Sequence, residues 1–72
     1  MKTGIRLYYQ IQAKSCRATM RANALEARSF IAKQNTAFAS ENDLQHAAAY
    51  FGFAAKLREC ALDYEKMARI EP

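Results

Sequence analysis

Residues 35–43, which read NTAFASEND, decide the fold because they are the only stretch of the chain in which turn-forming residues cluster. Asparagine, serine, threonine and aspartate side chains compete with the helical backbone for hydrogen bonds, so they favour turns and helix caps. Ser40 with Asp43, or Asn42 with Gln45, has the spacing of a cap at the start of a helix. The stretch therefore predicts that one helix ends here and another begins.

Helix-forming residues dominate on both sides of this break. Glycine occurs twice and proline once in 72 residues, whereas alanine, glutamate, lysine, arginine, glutamine, methionine and leucine are frequent. We predict helix 1 over about 4–36, a turn over about 36–41 and helix 2 over about 42–70. The fold class is therefore all-α, with residues 1–72 forming a single domain that folds as a two-helix antiparallel hairpin.

Apolar residues on the two predicted helices recur at steps of three and four, which indicates one buried stripe on each helix. On helix 2 the predicted inner face comprises His46, Tyr50, Phe53, Leu57, Cys60, Ala61, Tyr64 and Met67. On helix 1 it comprises Ile5, Tyr9, Ala13, Cys16, Met20, Ala24, Ala27, Ile31 and Phe38. A turn centred near residue 38 makes the position numbers of facing residues add up to about 77, so Ala27 faces Tyr50. Small residues then face large ones, as dense packing requires.

Each predicted helix also carries a second, weaker apolar stripe that a hairpin alone would leave in water. On helix 1 this stripe comprises Leu7, Ile11, Ala18, Ala22 and Leu25, and on helix 2 it comprises Leu44, Ala48, Phe51, Ala55 and Leu62. A chain of 72 residues is also short for a core of its own. We therefore expect a homodimer in which two hairpins form a four-helix bundle through these residues. A different protein that covers the stripes is the alternative.

The two cysteines, Cys16 and Cys60, fall at nearly the same level of the predicted hairpin. Three states are open to them: reduced thiols in the core, a disulfide, or a metal site that would need His46, the only histidine. The sequence contains no signal peptide and no unbroken apolar stretch that could span a membrane, which indicates a cytoplasmic protein. Reduced thiols are the expected state in that compartment.

Catalytic signatures are missing from the sequence. A catalytic nucleophile needs a base to activate it and a third group to orient that base, and the single histidine, His46, lies on the predicted inner face. There is no paired-cysteine metal spacing, no glycine-rich phosphate loop and no serine in a strand-to-helix elbow. We therefore predict that the protein is not an enzyme and that it binds no metal, cofactor or small-molecule substrate.

Basic residues are concentrated in the first half of the chain. Residues 1–36 carry seven Lys or Arg against one acid, about +6, whereas residues 37–72 carry four against six acids, about −2. On a helical wheel, five of the first seven fall within a sector of roughly 80°. The hairpin geometry adds two arginines from helix 2, with Glu65 as the one acid among them. We call these residues the basic patch: Arg6, Lys14, Arg17, Arg21, Arg28, Arg58 and Arg69.

Such a patch predicts an acidic macromolecular partner. Exposed arginines next to apolar side chains are typical of protein interfaces, which favours an acidic protein surface. RNA or DNA, whose phosphates the same arginines could contact, is the alternative partner. A structural subunit of a larger assembly is a second alternative, and a solvated helix face with no partner is the simplest explanation of the charges. We expect a non-catalytic adaptor, inhibitor or regulator that docks helix 1 on its partner.

Overall fold

The computed structural model describes the backbone of residues 2–71 and the side chains of residues 4–71. Both long segments predicted from the sequence are helical, and the described part of the chain contains no strand. The elements are α1 over Lys2–Ala32, a short 3-10 turn over Lys33–Asn35 and α2 over Asp43–Ile70. The all-α prediction is therefore confirmed.

The two helices lie antiparallel and pack against each other. Tyr9 lies beside Tyr64, with ring centroids 6.2 Å apart, and Phe30 stacks on Tyr50 at 5.7 Å. The position numbers of these two pairs add up to 73 and 80, which brackets the predicted value of about 77. The structure is thus the antiparallel hairpin that the sequence predicted, close to the predicted register.

The connection between the helices is built by the residues that decided the fold. α1 ends at Ala32 and not near residue 36, because the chain tightens there into the 3-10 turn. Ahead of α2, the backbone N–H of Ser40 donates to Oδ2 of Asp43 at 2.8 Å, and Oγ of Ser40 accepts from the N–H of Asn42 at 3.4 Å. The side chain of Asn42 makes no capping hydrogen bond. Ser40 and Asp43 are therefore hydrogen-bonded to each other in the turn ahead of α2, whereas the residue in the cap position is Asn42.

Alanine methyl groups form the seam between the two helices. On α2 the buried apolar residues are spaced seven apart, and on α1 two buried alanines are fourteen apart with half-buried Met20 midway between them. The seam alanines are Ala13, Ala27, Ala47, Ala54, Ala61 and Ala68. A seven-residue repeat is the geometry of a coiled coil, and methyl groups at the seam allow the two backbones to approach closely. No large side chain among the described residues is fully buried.

The inner face of α2 is rotated from the predicted one. Four residues predicted to be on that face are exposed, namely His46, Phe53, Cys60 and Met67. Each is followed in the chain by a buried alanine of the seam. On α1, Ile5 and Ile31 are exposed, and Phe38 lies in the turn with 82% of its surface in water. Only a methyl group fits where two backbones approach closely, so bulkier side chains take the flanks of the seam.

The hairpin is a rod. Its principal dimensions are 56 × 13 × 11 Å, because two helices of 31 and 28 residues lie side by side with nothing stacked on either face. Much of the apolar surface consequently stays in water, including all ten residues that the sequence assigned to an oligomer interface. The fold therefore leaves long helical faces accessible to a partner.

Candidate functional site

An open groove lies at the end of the hairpin opposite the turn, between the beginning of α1 and the end of α2. Its volume is about 570 Å³. Four basic side chains border it against one acid, and two alanines of the seam form its floor. The lining residues are Arg6, Leu7, Gln10, Ile11, Ala13, Lys14, Arg17, Glu65, Ala68 and Arg69. The lining of this groove is therefore strongly basic.

The acid in the groove is already engaged by an arginine of the other helix. Nε of Arg17 donates to Oε2 of Glu65 at 2.6 Å, and Nη2 of Arg17 donates to Oε1 at 2.8 Å. This two-pronged geometry is the strongest that a guanidinium and a carboxylate can adopt. Each side chain keeps 33% of its surface in water. Glu65 therefore neutralises Arg17 and leaves the other basic groups of the groove to set its charge.

The ion pair changes the acidity of both partners. The hydrogen bond from Arg17 lowers the pKa of the Glu65 carboxyl, and the positive charges of Arg17 and Arg69 act in the same direction against partial desolvation. The same hydrogen bond raises the pKa of the Arg17 guanidinium. Glu65 is consequently ionised at neutral pH, and the pair persists there.

The structure brings four residues of the predicted basic patch together in the groove. Arg6, Lys14, Arg17 and Arg69 line the groove. The remaining three are exposed and lie at seven-residue steps from groove residues, which places them on the same side of their helix. Arg21 and Arg28 come after Lys14 on α1, and Arg58 comes before Glu65 on α2. We call this side the groove flank. Arg17 was predicted to contact a partner, but in the structure its guanidinium group is paired with Glu65.

Apolar side chains lie next to the basic residues of the groove. Leu7 and Ile11, which the sequence assigned to an oligomer interface, line the groove and are each 54% exposed. Ala18 and Leu25 continue from Ile11 at seven-residue steps along the outer side of α1, and Ala22 is exposed as well. The α1 stripe therefore does not face one direction: its first residues belong to the groove, and the others lie on the outside of the helix.

The apolar stripe of α2 is on the groove flank. Phe51 and Leu44 precede Glu65 by two and three seven-residue steps, through Arg58, and are both exposed. The other three residues precede Arg69 at the same spacing, namely Leu62, Ala55 and Ala48. Because residues seven apart share one side of a helix that packs with this repeat, the stripe is continuous with the edge of the groove.

An aromatic cluster near the turn was missed from the sequence. The ring of Phe30 meets the ring of His46 edge-on at 5.0 Å and stacks on Tyr50, while Nζ of Lys33 lies 4.9 Å from the Phe30 centroid. Phe30 follows Cys16 by two seven-residue steps, and this spacing could have placed it on the inner face. The contact with Phe30 gives His46 a packing role at the end of the seam.

The two cysteines are not joined by a disulfide. Cys16 is half-buried, Cys60 is exposed, and both are free thiols. Among the described residues, no three His, Cys, Asp or Glu side chains are grouped so that they could hold a metal ion. Within the same residues, neither helix is long and apolar enough to cross a membrane.

Comparison with protein-family models, with curated proteins and with solved structures finds no match for this chain. The chemistry of the groove and of its flank is therefore the basis on which a function can be argued.

Proposed function

We propose that the protein is a non-catalytic helical interaction protein that docks α1, through the basic groove, on an acidic segment of another protein. One observation carries the proposal: the groove combines three basic side chains, Arg6, Lys14 and Arg69, with exposed Leu7 and Ile11. Glu65, the acid between them, is occupied by Arg17. A ligand with both carboxylates and apolar side chains would satisfy every group in the groove.

The apolar walls favour a protein over a nucleic acid. A phosphate backbone gains from Arg6, Lys14 and Arg69, but it gains nothing from covering Leu7 and Ile11. Arginine next to apolar side chains is instead the composition of the best-binding parts of protein interfaces. RNA or DNA binding through the same basic residues remains the second candidate, because Lys14, Arg21 and Arg28 extend the charge beyond the apolar walls.

The same proposal includes the form in which the protein acts. We place it in the cytoplasm as an adaptor, inhibitor or regulator, and as a homodimer whose two hairpins build a four-helix bundle. The support for the homodimer is the exposed apolar surface on both helices, which a single hairpin leaves in water. A structural subunit of a larger assembly would use this apolar surface and would not need the basic patch.

The test is binding of a labelled synthetic peptide in which Glu and Leu alternate at helical spacing, followed by fluorescence anisotropy. We expect the double variant Arg6→Glu with Lys14→Glu to bind the peptide about tenfold more weakly or worse, because two attractions become repulsions. The matched control is Lys56→Glu with Lys66→Glu, which makes the same change of charge at two exposed lysines of α2 that do not line the groove. The control should bind like the original protein.

The competing functions give different results in the same assay. Tighter binding of duplex RNA or DNA than of the peptide, lost in the Arg6 and Lys14 variant, would replace the protein partner by a nucleic acid. An equal loss in both double variants would show that only net charge matters and would remove the groove as the site. Circular dichroism of each variant checks that the helices are intact.

A further inference from the structure

The apolar stripe of α2 has the spacing of a second helix-packing seam. Its five residues follow one another at steps of four, three, four and seven, which is the repeat that the alanine seam also uses. Its large members are well exposed, with Leu44 at 60%, Phe51 at 41% and Leu62 at 45%. We call it the outer seam: Leu44, Ala48, Phe51, Ala55 and Leu62.

The hairpin exposes more surface than a compact monomer of its mass, by about the area that one protein partner would bury. The chain exposes 5567 Å², whereas a compact monomer of 8.2 kDa exposes about 4,500 Å². The difference is roughly 1,000 Å², and each side of a standard stable protein interface buries about 800 Å². The excess surface of the rod is therefore of the size that one copy contributes to a dimer.

Gly52 gives an independent reason to expect another backbone at this place. It lies in the middle of α2, next to Phe51 of the outer seam, and a Cβ atom built on it would meet nothing within 4 Å. Glycine is among the least favourable residues inside a helix, and nothing within the hairpin requires it. A second helix that crosses there would use the missing side chain for close approach.

We infer that a second copy of this chain covers the outer seam, with the two α2 helices antiparallel and crossing near Gly52. The inference rests on the proposed homodimer and specifies its interface. With position numbers adding up to about 106, Phe51 meets Ala55 of the second copy and Leu44 meets its Leu62. A parallel pair would instead set Phe51 against Phe51 and Arg58 against Arg58, and it would align the two helix dipoles.

This arrangement leaves the groove open. The last layer of the outer seam pairs Leu62 with Leu44 of the second copy, and Glu65 and Arg69 of the groove lie beyond that layer. The twofold axis also places both α1 helices on the same side of the α2 pair, with their groove flanks facing each other. Each dimer therefore presents two basic grooves, one at either end.

The interface is tested by sedimentation equilibrium of the full chain over a range of concentrations. The original protein should have twice the 8.2 kDa mass of the monomer, and Phe51→Glu should weaken the dimer at least tenfold. Phe53→Glu is the matched control, because Phe53 is also exposed on α2 but is not part of the outer seam. A dimer that survives Phe51→Glu overturns the proposal whatever Phe53→Glu does, and so does a monomer at every concentration. Peptide binding by such a monomer would leave the proposed docking of the groove standing and would remove only the homodimer.

A second variant separates loss of the dimer from loss of the fold. Gly52→Leu should strengthen the isolated helix, because leucine favours a helix and open space surrounds position 52. The same side chain should obstruct the crossing and weaken the dimer at least tenfold. An unchanged or tighter dimer would show that the helices do not cross there.

The orientation is tested by mixing two single-cysteine variants, Leu44→Cys and Leu62→Cys, each with Cys16 and Cys60 replaced by alanine. Mild oxidation of an antiparallel dimer should join position 44 of one copy to position 62 of the other, which gives a mixed disulfide by mass spectrometry. Disulfides only between identical variants would show a parallel pair and overturn the arrangement.

Discussion

At the scale of single residues, the ion pair between Arg17 and Glu65 is the contact that ties α1 to α2 on the groove flank. The lowered pKa of the Glu65 carboxyl makes the stability of the fold depend on pH. A carboxyl whose folded-state pKa lies below the unfolded value stabilises the fold at pH values above the unfolded pKa. That contribution is lost as the pH falls through the folded pKa, when Glu65 takes up a proton.

We therefore predict that Glu65→Gln lowers the melting temperature at neutral pH and that the difference from the original protein becomes smaller in acid. Thermal unfolding followed by circular dichroism at pH 6 and at pH 3 measures it, since an unperturbed Glu has a pKa of about 4.3. The control is Glu59→Gln, an exposed carboxyl outside the groove. A difference that is the same at both pH values would contradict the role of the charge. Because both partners are partly exposed, added salt should reduce the effect.

The residue scale is also where the sequence predicted least of the site. Four members of the basic patch line the groove, namely Arg6, Lys14, Arg17 and Arg69, and the pairing of Arg17 with Glu65 was not foreseen. Wheel positions place a residue on a side of a helix. They do not determine which of several basic neighbours has the length and direction to reach a given carboxylate.

At the scale of the elements, composition and one capped turn were enough to predict both helices and their antiparallel order. The phase of α2 was harder to predict. Aromatic and aliphatic residues at 46, 53 and 67 suggested a stripe, yet each alanine that follows them is buried instead. A hydrophobic pattern is dominated by large apolar side chains, whereas two closely packed helices have space only for small ones. The predicted inner face of α2 was therefore one residue away from the buried alanines.

A substitution in the alanine seam tests this account. Ala61 is fully buried between the helices, so we predict that Ala61→Leu destabilises the hairpin by about 1–3 kcal/mol through overpacking. Ala49→Leu is the control, because Ala49 is exposed on the same helix and leucine is a good helix former. Urea unfolding of both variants gives the comparison. Equal stability of the two would mean that the seam has room for larger side chains.

At the scale of the whole molecule, charge and apolar surface act against each other in the proposed dimer. The apolar outer seam draws two copies together, while the facing groove flanks carry Lys14, Arg21 and Arg28 of both copies toward one another. A bound acidic segment would supply the opposite charge. Partner binding and dimer formation should therefore support each other, because each state lowers the free energy of the other.

Added salt should have opposite effects on dimer formation and on binding of the acidic partner. Raising NaCl from about 50 mM to about 500 mM shortens the distance over which charges attract or repel one another. We predict that this change tightens the dimer in sedimentation equilibrium, because repulsion between the basic flanks is reduced and apolar contacts are not weakened. The same change should weaken binding of the Glu and Leu peptide. In the Arg6→Glu, Lys14→Glu variant both effects should shrink, since fewer like charges face each other. A dimer that falls apart as salt rises would mean that ion pairs hold the copies together, and the outer seam would not be their interface.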